Sequence, residues 1–102
     1  MTKQLIEITF QNAIAQARRL ESCADSMVTL ANSNLPAVRG EVQAAWEGEE
    51  ANAYLSKMET TGENILKTAA RLYSAATTIR TVAKIFRESE LRALEIATQR
   101  TF

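Results

Sequence analysis

Few residues in this chain have side chains suited to catalysis. There is no histidine, which removes the commonest general base and the commonest metal ligand. Asp25 is the only aspartate, and the adjacent Glu49 and Glu50 are typical of a helix start rather than of a general acid and base in a cleft. The sequence also has no Gly-rich phosphate loop and no Cys–His cluster. We therefore predict that the protein is not an enzyme and binds no cofactor or metal.

Cys23 is the only cysteine, so no disulfide can form within the chain. We expect Cys23 to be a small, half-buried helix residue. A reactive thiol and an interchain bridge are the alternatives. A chain of this kind folds in a reducing cytosol, and later export is compatible with it.

The bulk composition indicates one small all-α domain. The chain has 102 residues, with 12 basic and 12 acidic side chains and few glycines and prolines. Zero net charge argues against non-specific binding of nucleic acid and against action on membranes. No apolar stretch approaches the ~20 residues that span a bilayer, and the first ten residues lack the features of a signal peptide. We expect an exported protein of this type to use a route that accepts folded substrates without a cleaved signal.

The first half of the sequence has apolar residues at alternating steps of four and three, the pattern of a helix that packs along one seam. These residues are Ile6, Phe10, Ala13, Ala17, Leu20, Ala24, Met27 and Ala31, followed after a phase slip by Leu35, Val38, Val42 and Ala45. Pro36 removes a backbone donor and clashes with the preceding turn. We therefore predict a first helix over about residues 4–46, with a kink or short break near residues 32–36.

The second half repeats the pattern without a proline, which predicts a second helix over about residues 49–90 and a tail, 91–102, that is helical or frayed. Its seam residues are Leu55, Met58, Gly62, Ile65, Ala69, Leu72, Ala76, Ile79, Ala83 and Phe86. The large residues predicted to form the core and dimer seam are Phe10, Leu20, Met27, Leu55, Met58, Ile65, Leu72 and Ile79.

The two predicted helices are joined by a turn at residues 46–48. Gly48 suits the left-handed conformation that ends a helix, and Glu49 and Glu50 favour the positive end of the next helix dipole. Two equal arms on a tight turn predict an antiparallel hairpin that forms the whole domain, residues 1–102. A lone hairpin leaves a wide apolar stripe exposed, so we expect a homodimer that closes a four-helix bundle.

Trp46, Glu47 and Gly48 form a W-x-G tripeptide at the middle of two heptad arms. In this position the chain resembles the WXG-hundred family of small, early-secreted-antigen-like substrates of type VII secretion. The resemblance covers about residues 4–90. A small residue and an aromatic after the tripeptide, here Ala51, Ala53 and Tyr54, agree with it.

The resemblance also implies an export signal near the end of the second helix. Family members carry a tyrosine followed four residues later by an acid, and this chain has Phe86 and Glu90 at that spacing, with the hydroxyl absent. In a family dimer, Trp46 and Gly48 of one chain join Phe86 and Glu90 of the other in a composite signal. Simpler roles stay open: Trp46 as the hydrophobe that pins the turn, Phe86 as core, and Glu90 as a solvated residue that pairs with Arg87.

The leading functional expectation is a homodimeric, virulence-associated protein of a Gram-positive bacterium. It would be secreted by a type VII system after recognition by the membrane-bound ATPase of that system. One alternative is an adaptor that forms a heterodimer with a related small protein or carries a larger toxin with a helical N-terminal domain to the same machine. A membrane-disrupting protein and a generic intracellular coiled coil are the remaining alternatives.

Overall fold

The computed structural model describes residues 2–100 and has two long helical stretches. Helix α1 (Lys3–Thr29) continues through a π-helical turn (Leu30–Asn34) into helix α2 (Leu35–Ala45). Helix α3 (Glu49–Gln99) follows after three non-helical residues. No strand occurs among the described residues, so the predicted all-α class is confirmed.

The start of α1 is capped by the residue before it. The Leu5 amide donates to the Thr2 side-chain oxygen at 3.2 Å, and the Ile6 amide donates to the Thr2 carbonyl at 3.0 Å. A threonine in this position satisfies amides that have no partner within the helix, which is the reason that the helix begins here.

The irregularity predicted around Pro36 is a π-helical turn, and the helix does not break. The Leu35 amide donates to the Leu30 carbonyl, five residues back, which inserts one residue into the α-helical ladder. Pro36 then lies in the first turn of α2, directly after the π-helical turn that accommodates it. The insertion rotates the buried face by one residue, so Leu35, Arg39 and Val42 are half-buried.

Two residues that the sequence pattern assigned to the seam after this slip, Val38 and Ala45, are exposed. The reason is the same insertion, because the heptad count that places them inward ignores the extra residue.

The chain packs as two compact units. The first, here called the terminal unit, combines Met1–Glu21 with Ser74–Phe102, and the second, the turn unit, is Ser22–Tyr73. The terminal unit has eight basic and five acidic residues, whereas the turn unit has four basic and seven acidic residues. The neutral chain therefore consists of a basic unit and an acidic unit.

The buried residues are mostly small. Alanines recur every seventh position on each helix and are almost completely inaccessible. The buried set is Ile6, Ala17, Ala76 and Ala83 in the terminal unit, and Ala24, Ala31, Ala51, Leu55 and Ala69 in the turn unit. Of the eight large residues predicted for the core and dimer seam, Leu55 is buried, and the other seven (Phe10, Leu20, Met27, Met58, Ile65, Leu72, Ile79) are half-buried. Each unit thus encloses its alanines and leaves part of its largest side chains in water.

Within residues 2–100, no helix combines the length and apolarity needed to cross a membrane.

Candidate functional site

The W-x-G tripeptide lies in the turn unit and forms the link between α2 and α3. The Trp46 amide still donates to the Val42 carbonyl at 2.9 Å, but the Trp46 backbone is extended, with φ −134° and ψ 133°. Gly48 has φ +108°, a conformation that side-chain-bearing residues avoid. The Gly48 carbonyl accepts the Asn52 amide at 3.1 Å, which starts α3. Gly48 is therefore required by the backbone geometry of the link.

The Trp46 ring packs against Tyr54 of α3. The ring centroids are 5.9 Å apart and the planes meet at 71°, an edge-to-face arrangement. Each side chain nevertheless stays 51% exposed. Glu47, Glu49 and Glu50 surround the pair in sequence and are exposed. The link thus presents a half-exposed aromatic pair in an acidic sequence environment. The sequence pattern identified Tyr54 as the aromatic after the tripeptide but did not predict its contact with Trp46.

Phe86 lies in the terminal unit and lines an open apolar groove of about 360 Å³, here called the Phe86 groove. Its other lining residues are Thr9, Phe10, Ala13, Thr78, Ile79, Val82 and Ala83. The only side-chain polar atoms in this lining are the two threonine hydroxyls. The groove therefore suits apolar side chains and offers no charged group that would orient a small polar ligand.

The other flank of the terminal unit is closed by ion pairs. Arg87 donates from Nε to the Glu7 carboxylate at 2.8 Å, and its Nη2 lies 2.7 Å from the same oxygen, Oε1. Arg80 pairs with Glu21 through one nitrogen, Nη2, which donates to the carboxylate oxygen Oε1. The hydrogen bond to Glu7 and the charge of Glu7 raise the pKa of Arg87, desolvation lowers it by less, and the charge of Glu88 makes the smallest contribution, upward. These pairs fix which flank of the unit stays open.

The turn unit has related contacts. The Tyr73 hydroxyl donates to the Asp25 carboxylate, and Arg39 lies 3.7 Å from Glu59. Sequence reasoning missed all of these pairs. A signal was present, because Tyr73, Arg80 and Arg87 recur every seven residues beside the α3 seam.

Glu90 is half-buried and occupies the heptad position of Ala83, one repeat later. It lines a small groove with Ala93, Leu94 and Ala97. Phe86 and Glu90 are one helical turn apart in α3. The structure thus places Phe86 and Glu90 in the terminal unit, and Trp46 and Gly48 in the turn unit.

A second groove, here called the Gly62 groove, lies in the turn unit and measures about 200 Å³. Its apolar lining includes Leu35, Met58 and Leu66, and its charged lining residues are Arg39, Glu59 and Glu63. A Cβ atom added at Gly62 would lie 3.6 Å from Leu35 Cδ1, which is ordinary van der Waals contact. The space beside Gly62 is therefore wider than packing within the chain requires.

Reactive chemistry is sparse in the described part of the chain. No three His, Cys, Asp or Glu side chains among residues 2–100 come together in a way that could hold a metal ion. Cys23, expected to be half-buried, is exposed because it lies one residue before the buried seam residue Ala24 and so falls on a different face of α1. The expectation that the chain is not an enzyme stays a prediction.

Comparisons with protein-family models, with curated proteins and with solved structures find no match to this chain.

Proposed function

We propose that this protein is a small substrate of a type VII secretion system, exported as a folded dimer and acting through protein–protein contacts. The observation that carries the proposal is the division of the seam into buried alanines and half-exposed large residues. A chain that leaves part of Phe10, Met58 and Ile79 in water gains stability when another surface covers them, at about 25 cal/mol for each Å² of apolar area buried.

A helical hairpin is the fold that we propose for each subunit. The pairs Glu7–Arg87 and Glu21–Arg80 in the terminal unit, and Asp25–Tyr73 in the turn unit, join early residues to late ones in reversed order. Such an order is expected when α3 runs antiparallel to α1. Two hairpins of this kind would form the four-helix bundle.

We propose the Gly62 groove as the centre of the dimer contact. Its rim carries both charge signs, with Arg39 against Glu59 and Glu63. In a two-fold dimer the same patch meets itself, so a patch with both signs can pair Arg39 of one copy with Glu63 of the other. The 3.7 Å separation of Arg39 from Glu59 is a loose contact, and the Nε atom of Arg39 is buried without a hydrogen bond to any described residue. Arg39 can therefore reorient at little cost.

The proposed export signal combines Trp46 and Gly48 of one subunit with Phe86 and Glu90 of the other. Half-exposure of the Trp46 ring supports recognition of this side chain by the secretion ATPase, because a ring that served only to pin the link would be expected to be covered. Glu90 supports the same role, since an acid at a heptad core position adds little to apolar packing but presents a carboxylate that a partner can bind.

Secretion of single-residue variants tests the signal. We expect Trp46→Ala and Glu90→Ala to stay inside the producing bacterium while light scattering shows that each remains a folded dimer. Glu47→Ala and Glu88→Ala are matched controls, because both change exposed neighbours of the signal residues and should be exported normally. Normal secretion of both signal variants would show that the signal is assigned to the wrong residues.

The second candidate function is an adaptor for a larger toxin. One observation favours it: the open, almost entirely apolar Phe86 groove lies in the basic unit rather than in the unit proposed for dimer contact. The state of the purified protein distinguishes the two. A tight dimer alone supports the substrate, and a heterogeneous species that becomes uniform on co-expression with a toxin domain supports the adaptor.

A further inference from the structure

A ridge of charged residues runs along α3 in the turn unit. Glu59 and Glu63 are followed, at further steps of four, by Lys67 and Arg71, and all of these residues are exposed. Residues four apart are neighbours on a helix surface, so they form one continuous ridge. The ridge is negative in its first half and positive in its second half. It is therefore complementary to a second copy of itself that runs in the opposite direction.

Most of this charge has no partner within the chain. Glu59 lies 3.7 Å from Arg39, which is a loose contact between exposed side chains. Glu63, Lys67 and Arg71 form no ion pair with any residue in the described part of the chain. Three neighbouring charges of the ridge are therefore available to another molecule.

The ridge borders the Gly62 groove. Glu59 and Glu63 line this groove beside Leu66, which is 37% exposed. The groove measures about 200 Å³, whereas the cavity that a leucine-to-alanine substitution leaves in a protein core measures about 150 Å³. The groove therefore has room for one leucine side chain of another molecule.

From this pattern we infer that two copies of the chain pack α3 against α3 in antiparallel directions, with the two-fold axis near Ile65. Glu63 of each copy then faces Lys67 of the other. Glu59 faces Arg71 in the same way, because both pairs are centred on Ile65. The inference rests on the proposed dimer and adds the residues that fix its register.

The same register fills the groove. Two helices commonly cross with the ridges of each in the grooves of the other, and these ridges are formed by residues four apart. The ridge next to the charged one contains Met58, Gly62 and Leu66. Reversal about Ile65 brings Leu66 of each copy level with the space between Gly62 and Leu66 of the other. The glycine presents no side chain there, so the leucine has a place to lie.

Other arrangements satisfy fewer charges. Arg39 is the second cation near Glu63, but pairing these two across the dimer would leave the exposed Lys67 and Arg71 without partners. Parallel packing of α3 would place like charges opposite each other. A related small protein would need acids and bases in the same reversed order. A second copy of the chain meets every charge of the ridge with its opposite and is the partner that the ridge selects.

Charge reversals in separate chains test the register. Glu63→Lys and Lys67→Glu each place like charges in contact twice per dimer, so each alone should weaken the dimer by about tenfold or more in sedimentation equilibrium. An equimolar mixture of the two variants should recover the native affinity within about threefold, because each chain supplies the charge that the other lacks. Recovery between separate chains cannot come from a contact within one helix, and it also shows that both variants fold.

Two further variants complete the test. Lys57→Glu makes the same charge change at an exposed lysine two residues before Glu59, on another face of α3, and should change the affinity by less than about twofold. Leu66→Ala should weaken the dimer by about tenfold, since it removes the apolar side chain from both grooves. Circular dichroism checks that each variant stays helical.

The outcomes separate this inference from the proposed function. If both reversals left the affinity unchanged, or if the mixture did not recover it, the register would be wrong while the dimer stood. Recovery of Glu63→Lys by Arg39→Glu instead of Lys67→Glu would show that Arg39 faces Glu63. A native chain that sediments as a monomer at every concentration would refute the dimer, and the register with it.

Discussion

The guanidinium carbon of Arg87 lies 5.3 Å from the ring centroid of Phe10, while two nitrogens of the same guanidinium contact Glu7. Arginine can make both contacts at the same time, because the face of its planar guanidinium stacks on an aromatic ring while its N–H groups donate to a carboxylate. Phe10 also lines the Phe86 groove. Arg87 therefore links the closed flank of the terminal unit to the ring that borders its open flank.

Replacement of Arg87 should lower the thermal stability of the chain. Arg87→Lys keeps the charge but loses the second contact to Glu7 and the stacking on Phe10, and Arg87→Ala loses all three contacts. We expect the midpoint of unfolding, followed by circular dichroism, to fall by a few degrees for lysine and further for alanine. Arg92→Ala, at an arginine without an ion pair among the described residues, serves as the control. Equal midpoints for Arg87→Ala and Arg92→Ala would mean that the Glu7 contact adds no stability.

The pKa of Arg87 gives this contribution a defined pH dependence. The pKa is raised in the folded chain, chiefly by Glu7, so the stabilisation is fully present below the ordinary arginine pKa. It is lost only as pH rises through the still higher folded value, in strongly alkaline solution. The stability difference between the native chain and Arg87→Ala should therefore stay constant from about pH 7 to pH 9. A fall of that difference within this range would require another titrating group in the pair.

Enlargement of a buried alanine should be more costly than enlargement of its exposed neighbour. Ala69 is 1% exposed and Ala70 is exposed on the same helix. Ala69→Leu inserts three carbons into a closed contact and should lower the free energy of unfolding by about 1–3 kcal/mol, whereas Ala70→Leu should change it by less than about 0.5 kcal/mol. Urea unfolding of the two variants measures the difference. If Ala69→Leu were as stable as Ala70→Leu, the alanine rows would be loosely packed.

The sequence was sufficient to predict helices and the link between them, because alternating steps of four and three persist over most of the chain. It was not sufficient to predict the π-helical turn. Pro36 indicates that the ladder is disturbed, but a kink, a break and an inserted residue are all compatible with the donor that proline lacks. Which of the three forms depends on the carbonyl that accepts the Leu35 amide, and the heptad pattern does not predict that acceptor.

The candidate sites show the same limit. Residue types and spacing identified Trp46, Gly48, Phe86 and Glu90, since each stands out from a regular pattern. The grooves could not be identified in this way, because they depend on which flank the ion pairs close. Glu7 and Arg87 are 80 residues apart, and among 12 acidic and 12 basic residues many other pairs are possible.

The three glycines should respond differently to alanine. Gly62→Ala adds a methyl group at ordinary contact distance from Leu35, and at Gly40 nothing lies within 4 Å, so both helical replacements should raise stability by about 0.5–1 kcal/mol. Gly48→Ala forces a Cβ onto a backbone with φ +108° and should cost about 1–3 kcal/mol. Urea unfolding of the three variants measures their free energies of unfolding. A Gly48→Ala variant that is more stable than the native chain would contradict the prediction.

The fluorescence of Trp46, the only tryptophan, reports the state of the link directly. Half of the side chain is exposed and its ring contacts Tyr54, so its quenching by acrylamide should be intermediate between that of a buried and that of a free indole. Tyr54→Leu removes the edge-to-face contact, worth about 0.5–1.5 kcal/mol beyond its area when fully formed, and should increase the quenching constant. Tyr73→Phe, which removes the hydroxyl that donates to Asp25, is the control and should leave quenching unchanged. An unaltered constant in Tyr54→Leu would show that Tyr54 does not shield the ring in solution, and the aromatic pair could not then position Trp46 for recognition.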